Sequence, residues 1–343
     1  MKRKILFCIC ALMSLCSGAQ ILKDSTVQVV AYWTKGEAFD YKYYQEEFKV
    51  QGNDTIWGDW NEEVFRIEVV DSTENGYLMK YRCLHSEEHS DDKKLQKLLK
   101  PIQEKYSKIP IYFTTNPYGA FTGIARWEEF QITVDSIMND VRKAMKEYLR
   151  TEEDAESAPE EYFQTMDAMI DQVIMASKSK EAIMMGMSYI IEPLYYHGGR
   201  MEQNKTYNGK EQFMSPWMLG EMLDGETELN IHQVKYDSSW ATFHRTQRYD
   251  AGQLMDSFMR FLTSTLPPEQ QMDLKPDELP FVMVETFFDL DVHLDSGWPG
   301  PSFYQKRVQT GDQQKVIRWW MEFYEPSPTE PEKPVMEVLE VIE

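Results

Sequence analysis

The run Glu63-Val64-Phe65-Arg66-Ile67-Glu68-Val69-Val70-Asp71 alternates apolar and polar side chains, and so prescribes a strand with one buried face. Ser72-Thr73-Glu74-Asn75-Gly76 follows, and residues 77–84 are again strand-like. Asn-Gly supplies the positive φ angles of a tight reversal, so the segment is expected to be a hairpin. Next come a helix over 91–106, carrying Leu95, Leu98, Leu99 and Ile102, and an extended stretch over 109–115. A turn at Asn116-Pro117-Tyr118-Gly119 then leads to a returning strand over 120–133. The same order recurs downstream. Strands are expected over 228–236 and 240–249, a helix over 252–265, and strands over 281–294, 304–308 and 314–324, with Asp295-Ser296-Gly297 as a turn.

Between these regions the period changes from two to three and four. Val134, Ile137, Met138, Val141, Ala144, Met145, Tyr148 and Leu149 form one helical stripe. Ser157-Ala158-Pro159-Glu160 has the pattern of a capping box opening a second helix, and a third runs over 179–191 and stops at Pro193. The expected class is α+β: two related antiparallel β lobes, possible half-barrels, with a helical insert. The expected organisation is a leader over 1–19, an N-terminal β-rich lobe over 20–133, the insert over 134–192, a C-terminal β-rich lobe over 193–325 and a proline-rich acidic tail over 326–343.

The leader has a basic start (Lys2, Arg3, Lys4), an apolar run from Ile5 to Leu15, and Ser17-Gly18-Ala19 before Gln20. That is the pattern of a signal peptide cut after Ala19, and it implies export to the periplasm or the medium. Lipid anchoring at Cys16 is the weaker alternative, because Leu15 stands where a small residue is wanted. Loss of the leader would remove Cys8, Cys10 and Cys16 and leave Cys83, which excludes an intrachain disulfide. Cys83 reads as a small buried hydrophobe more readily than as a reactive thiol. The formal net charge of −21 argues against nucleic acid as a partner. No later run of apolar residues is long enough for a transmembrane helix.

Candidate chemistry is sparse. His85-Ser86-Glu87-Glu88-His89 matches the inverted zinc-protease pattern, which requires both histidines on one helical turn. Asp289, Asp291, His293 and Asp295 alternate with Leu290, Val292 and Leu294, so a strand would present four potential metal ligands on one face; a half-buried strand needs the same alternation. Tyr196-His197-Gly198-Gly199 resembles an esterase oxyanion loop, but the matching nucleophile elbow is missing. Met166, Met169, Met175, Met184, Met185 and Met187 suit an adaptable groove or an irregular core, with the core preferred. Ten aromatic residues from Tyr32 to Phe65 fit cross-strand packing, with a carbohydrate platform as the alternative. No cofactor motif is present.

The Ala-Gln cleavage site, the aromatic hairpins and the turn from Asp71 to Tyr77 resemble exported Gram-negative bacterial families of unknown function. More distantly, paired β halves with packed helices resemble the half-barrel lipoprotein carriers of the periplasm, which bind acyl chains. The bacterial resemblance implies glycosylation at Asp-Ser/Thr sites, here Ser25, Thr55, Ser72 and Ser136; the same dipeptides also serve turns and helix caps. The sequence therefore reads as a non-enzymatic exported factor that binds a hydrophobic or glycan ligand, or an envelope protein, between the lobes. The alternatives are a hydrolase with a carboxylate or metal centre near Asp291 and His293, and a structural assembly factor.

Overall fold

The Asn75-Gly76 reversal joins two long strands, β3 (Asp54–Thr73) and β4 (Gly76–His89). Gly76 has φ +130, and a Cβ there would meet the Thr115 carbonyl oxygen at 2.0 Å, so the neighbouring strand as well as the turn demands glycine. These features come from a computed structural model that describes residues 25–52, 54–151, 159–215, 218, 220–265 and 282–325. The leader over 1–19, the break over 152–158 and the tail over 326–343 lie outside the described residues.

Eleven strands form one antiparallel sheet in the order β6-β5-β4-β3-β2-β13-β12-β11-β10-β9-β8. Besides β3 and β4 they are β2 (Ala38–Gln51), β5 (Ile111–Thr115), β6 (Phe121–Ile124), β8 (Tyr207–Met214), β9 (Met222–Lys235), β10 (Trp240–Tyr249), β11 (Val282–His293), β12 (Pro299–Thr310) and β13 (Gln313–Phe323). The sheet is open, with β6 and β8 at its edges. The short strands β1 (Thr26–Gln28) and β7 (Arg200–Glu202) pair separately. The fold is thus α+β with a largely antiparallel sheet and a helical insert.

Each half is a meander with a helix between its third and fourth strands. In the N-terminal half, α1 (Lys93–Tyr106) separates β3-β4 from β5-β6; in the C-terminal half, α6 (Ala251–Thr265) separates β9-β10 from β11-β12. The halves join edge to edge where β2 pairs with β13, from Gln51↔Gln313 to Tyr41↔Phe323.

Strand alternation gives the sheet one strongly buried face, here the inner face. Tyr41, Tyr43, Phe65, Ile67, Met79, Tyr81, Phe113, Phe243, Phe288, Leu290, Trp319 and Met321 belong to its core cluster. The chain itself supplies the opposing layer. Val27, Val29, Ala31 and Trp33 come from the N-terminal segment, and Met187, Ile190, Ile191, Leu194 and Tyr196 come from the end of the helical insert. A second cluster, Leu223, Leu254, Val282 and Val284, lies where α6 covers the C-terminal half.

The insert differs from expectation at two points. The strand expected over 120–133 ends at Ile124: Arg126 turns left-handed (φ 51) and α2 (Trp127–Arg150) begins at once. Trp127 and Phe130 extend the helical stripe that starts at Val134 in the sequence reading, and both pack on the main core. The second helix, α3 (Glu160–Ser177), starts beside Pro159 as expected. The third breaks into α4 (Lys180–Gly186), α5 (Ser188–Ile191) and a 3-10 turn (Glu192–Tyr196). Gly186 weakens the first piece and Pro193 cannot donate within the last, so the chain bends while burying Ile190 and Leu194.

Candidate functional site

Glu63 has the parity of Phe65, Ile67 and Val69, so β3 carries its carboxylate onto the inner face, where it is buried. Tyr81 on β4 donates to one carboxylate oxygen, and Tyr189 on α5 donates to the other at 3.2 Å. The two hydroxyls lie 3.2 Å apart, and the Cys83 thiol also hydrogen-bonds toward Glu63. Tyr189 stacks on Tyr43 with centroids 4.2 Å apart, which fixes its ring above β2. Among the described residues no cation pairs with Glu63, so burial raises its carboxyl above the usual range while the three donors pull it back.

Glu63 borders a cleft of about 430 Å³ between the inner face and α1. Gln45, Asn61, Ser86 and Glu88 contribute from the sheet, and Gln103 and Tyr106 from the helix. Helix α1 has no buried residue. Its contacts with the sheet are polar: Gln103 Nε2 donates to Ser86 Oγ at 2.8 Å, and Gln96 Nε2 donates to the Glu88 carbonyl at 2.5 Å. Its other anchors lie on α2, where Lys105 and Tyr106 both reach Asp140 and Tyr148 donates to the Asp92 cap. The helix is thereby held off the sheet, and the cleft beneath it is lined by amides, hydroxyls and carboxylates. A larger groove of about 540 Å³ lies near the other edge, bounded by Lys210, Asp224, Glu226, Arg248 and Gln253. Its polar groups satisfy one another, as where Gln253 bonds to Asp224.

The residues singled out in the sequence lie elsewhere. Asp289, Asp291 and His293 do share one face of β11, the outer one, away from the cleft. Asp289 accepts from His244 Nδ1 at 2.6 Å, Asp291 accepts from the Thr242 hydroxyl at 2.6 Å, and His293 contacts Ser296. Asp295 belongs to the turn that follows. Among the described residues, no group of three or more His, Cys, Asp or Glu is placed to hold a metal ion. His85 and His89 stand on strand β4 instead of a helix, so the one-turn spacing of the zinc-protease pattern is not formed, and His89 stacks on Trp60. His197 is buried and bonds through Nε2 to the Gly297 carbonyl at 2.6 Å; burial holds its imidazole down at about 4.

Cys83 is buried, and its thiol is pushed up to about 12 by burial and by Glu63, which suits an inert side chain. Of the methionines, Met187 and Met184 join the core, whereas Met169, Met175 and Met185 are exposed. Tyr44, Trp60 and Trp320 face outward but stack on one another and on His89, so their ring faces are engaged. Ser25, Thr55, Ser72 and Ser136 are all exposed.

The Glu63 cluster was not singled out from the sequence, although a signal was present: an acidic residue in phase with Phe65, Ile67 and Val69. Tyr189 lies far along the chain from Glu63 and gave no such signal.

No described helix is long and apolar enough to cross a membrane. The chain matches no family profile and no curated protein. Among solved structures it is similar to one of lipovitellin, described as showing lipid–protein interactions in that protein. The TM-score is 0.38 at 7% identity, over 88% of this chain and 27% of that one.

Proposed function

We propose that the protein is an exported binding factor whose cleft beneath α1 takes a hydroxyl-rich ligand of the glycan type. The polar lining of that cleft carries the reading: Gln45, Asn61 and Gln103 offer paired donors and acceptors, Ser86 adds a hydroxyl, and Glu63 and Glu88 accept. The surface an acyl chain would occupy on the inner face is filled by Tyr189, Ile190, Leu194 and Trp33 of the same chain. A polar ligand therefore fits better than a hydrophobic one. The leader pattern at Ala19 supports export, and a mature protein beginning at Gln20 is the expected product.

Titration calorimetry of the mature protein against neutral oligosaccharides tests the binding reading. Saturable binding that Asn61→Leu and Gln103→Leu both weaken, by roughly tenfold each, is the expected result. Binding of a fatty acid at the same site, with no response to any oligosaccharide, would replace the glycan reading with the hydrophobic one.

A further inference from the structure

On the C-terminal half, one polar row crosses the inner face between the two apolar clusters. In register it runs Lys306 on β12, Thr286 on β11, Gln247 on β10 and Thr227 on β9. Above it are Phe288, Leu290 and Phe243 of the main core; below it are Val308, Val284 and Tyr249, covered by α6. The row is wired from one end: Thr286 donates to Gln247 Oε1 at 2.9 Å, and Gln247 Nε2 donates to Glu211 at 2.8 Å. The other end is Lys306.

Lys306 is half-buried, and among the described residues no carboxylate lies within ion-pair distance of its ammonium. The Tyr249 ring centroid lies 6.0 Å from its Nζ. Of the cations nearby, Arg245 pairs with Glu192 and Lys315 with Glu47 at 2.7 Å. Acidic residues outnumber basic ones by 57 to 36, so carboxylates are abundant in this chain. Burial and the nearby Lys315 both push the Lys306 ammonium down, so holding an unpaired charge here opposes stability. Tyr304, two residues away on the same strand face, adds a hydroxyl.

We propose that Lys306 anchors a second ligand site on the inner face, which takes a small oxyanion, a carboxylate or a phosphate. The ammonium supplies the charge, and the Tyr304 hydroxyl is placed as a second donor. The polar row, with Thr286 and Thr227 buried, gives the floor between the clusters hydroxyls and an amide in place of apolar side chains.

The site lies on the opposite half from the α1 cleft and stands or falls independently of it. The test follows the melting temperature of the full mature protein in inorganic phosphate and in acetate, against chloride at matched ionic strength. Wild type is expected to gain stability in at least one of the two oxyanions, and Lys306→Arg to keep the gain. Lys306→Met is expected to lose it while melting higher than wild type in chloride, because an unpaired charge is gone. Asn61→Leu, in the other cleft, should leave the response intact. An equal response in wild type and Lys306→Met, or none beyond chloride in wild type, overturns the proposal. The two oxyanion arms distinguish carboxylate from phosphate.

Discussion

The two halves of the sheet share a plan and differ in how their inserted helices meet it. Helix α6 drops Leu254 into contact with Leu223, Val282 and Val284 and seals an apolar cluster. Helix α1 buries nothing and touches the sheet through glutamines, so a polar cleft persists beneath it. The unpaired ionisable groups of the two halves are opposite as well. The N-terminal half holds the acid Glu63 among tyrosines; the C-terminal half holds the Arg245–Glu192 pair and the base Lys306. One topology therefore accommodates a sealed cover and a raised one, and the choice rests on a few side chains at the helix–sheet contact.

The comparison breaks most readily at the Arg245–Glu192 pair, which ties the 3-10 turn to β10. Arg245→Ala leaves Glu192 with an unmatched charge in a partly buried site and is expected to destabilise by about 3 kcal/mol in urea denaturation. The double variant Arg245→Met/Glu192→Met should recover most of that loss, because the orphaned charge is removed as well. A double variant no more stable than Arg245→Ala would show that the pair contributes through packing alone.

Acid acts next, and through the layer that both halves share. His197 titrates at about 4 when folded, below its ordinary value of 6.5. A base held below its unfolded value favours the fold above that value and loses the advantage as pH falls toward the folded one. The expected loss is roughly 3 kcal/mol between pH 6.5 and 4, read as the stability difference between wild type and His197→Gln across that window. A difference independent of pH would refute it.

Glu63 sharpens the contrast with the smallest effect. Its folded carboxyl is raised, so the fold is favoured while Glu63 is protonated, and that advantage fades as pH rises from the ordinary carboxylate range through the folded value. Glu63→Gln should flatten this slope, whereas Tyr189→Phe should cost about 1 kcal/mol by removing one donor to the carboxylate. Lys306→Met, in the other half, should leave the Glu63 slope unchanged in the same pH series.

Much of this plan could be read from residue order. The hairpin at Asn75-Gly76, the strand over 240–249 and the turn at Gly297 follow from alternation and turn chemistry, and the structure places them there. The start of α2 was misread because the residues before Val134 carry their apolar side chains at spacings compatible with either period, and Arg126 ends the strand through a left-handed turn that no local preference announces. Strands β2 and β8 were missed for different reasons. The first mixes tyrosines with lysines and glutamates, and the second is an exposed edge with little apolar content. The cleft was beyond reach because it depends on α1 standing away from the sheet, a tertiary outcome fixed by Gln96 and Gln103 meeting β4.

The seam between β2 and β13 fixes the order of assembly. Arg318 pairs with Glu46 across that seam, 272 residues away along the chain. Among the described residues the central strands of the sheet are thus its first long strand and its last, and their pairing awaits synthesis as far as Phe323. Closing so large a loop late makes folding slow relative to helical proteins of similar size. Until then β2 presents an open edge rich in tyrosine and phenylalanine, available for pairing with another chain.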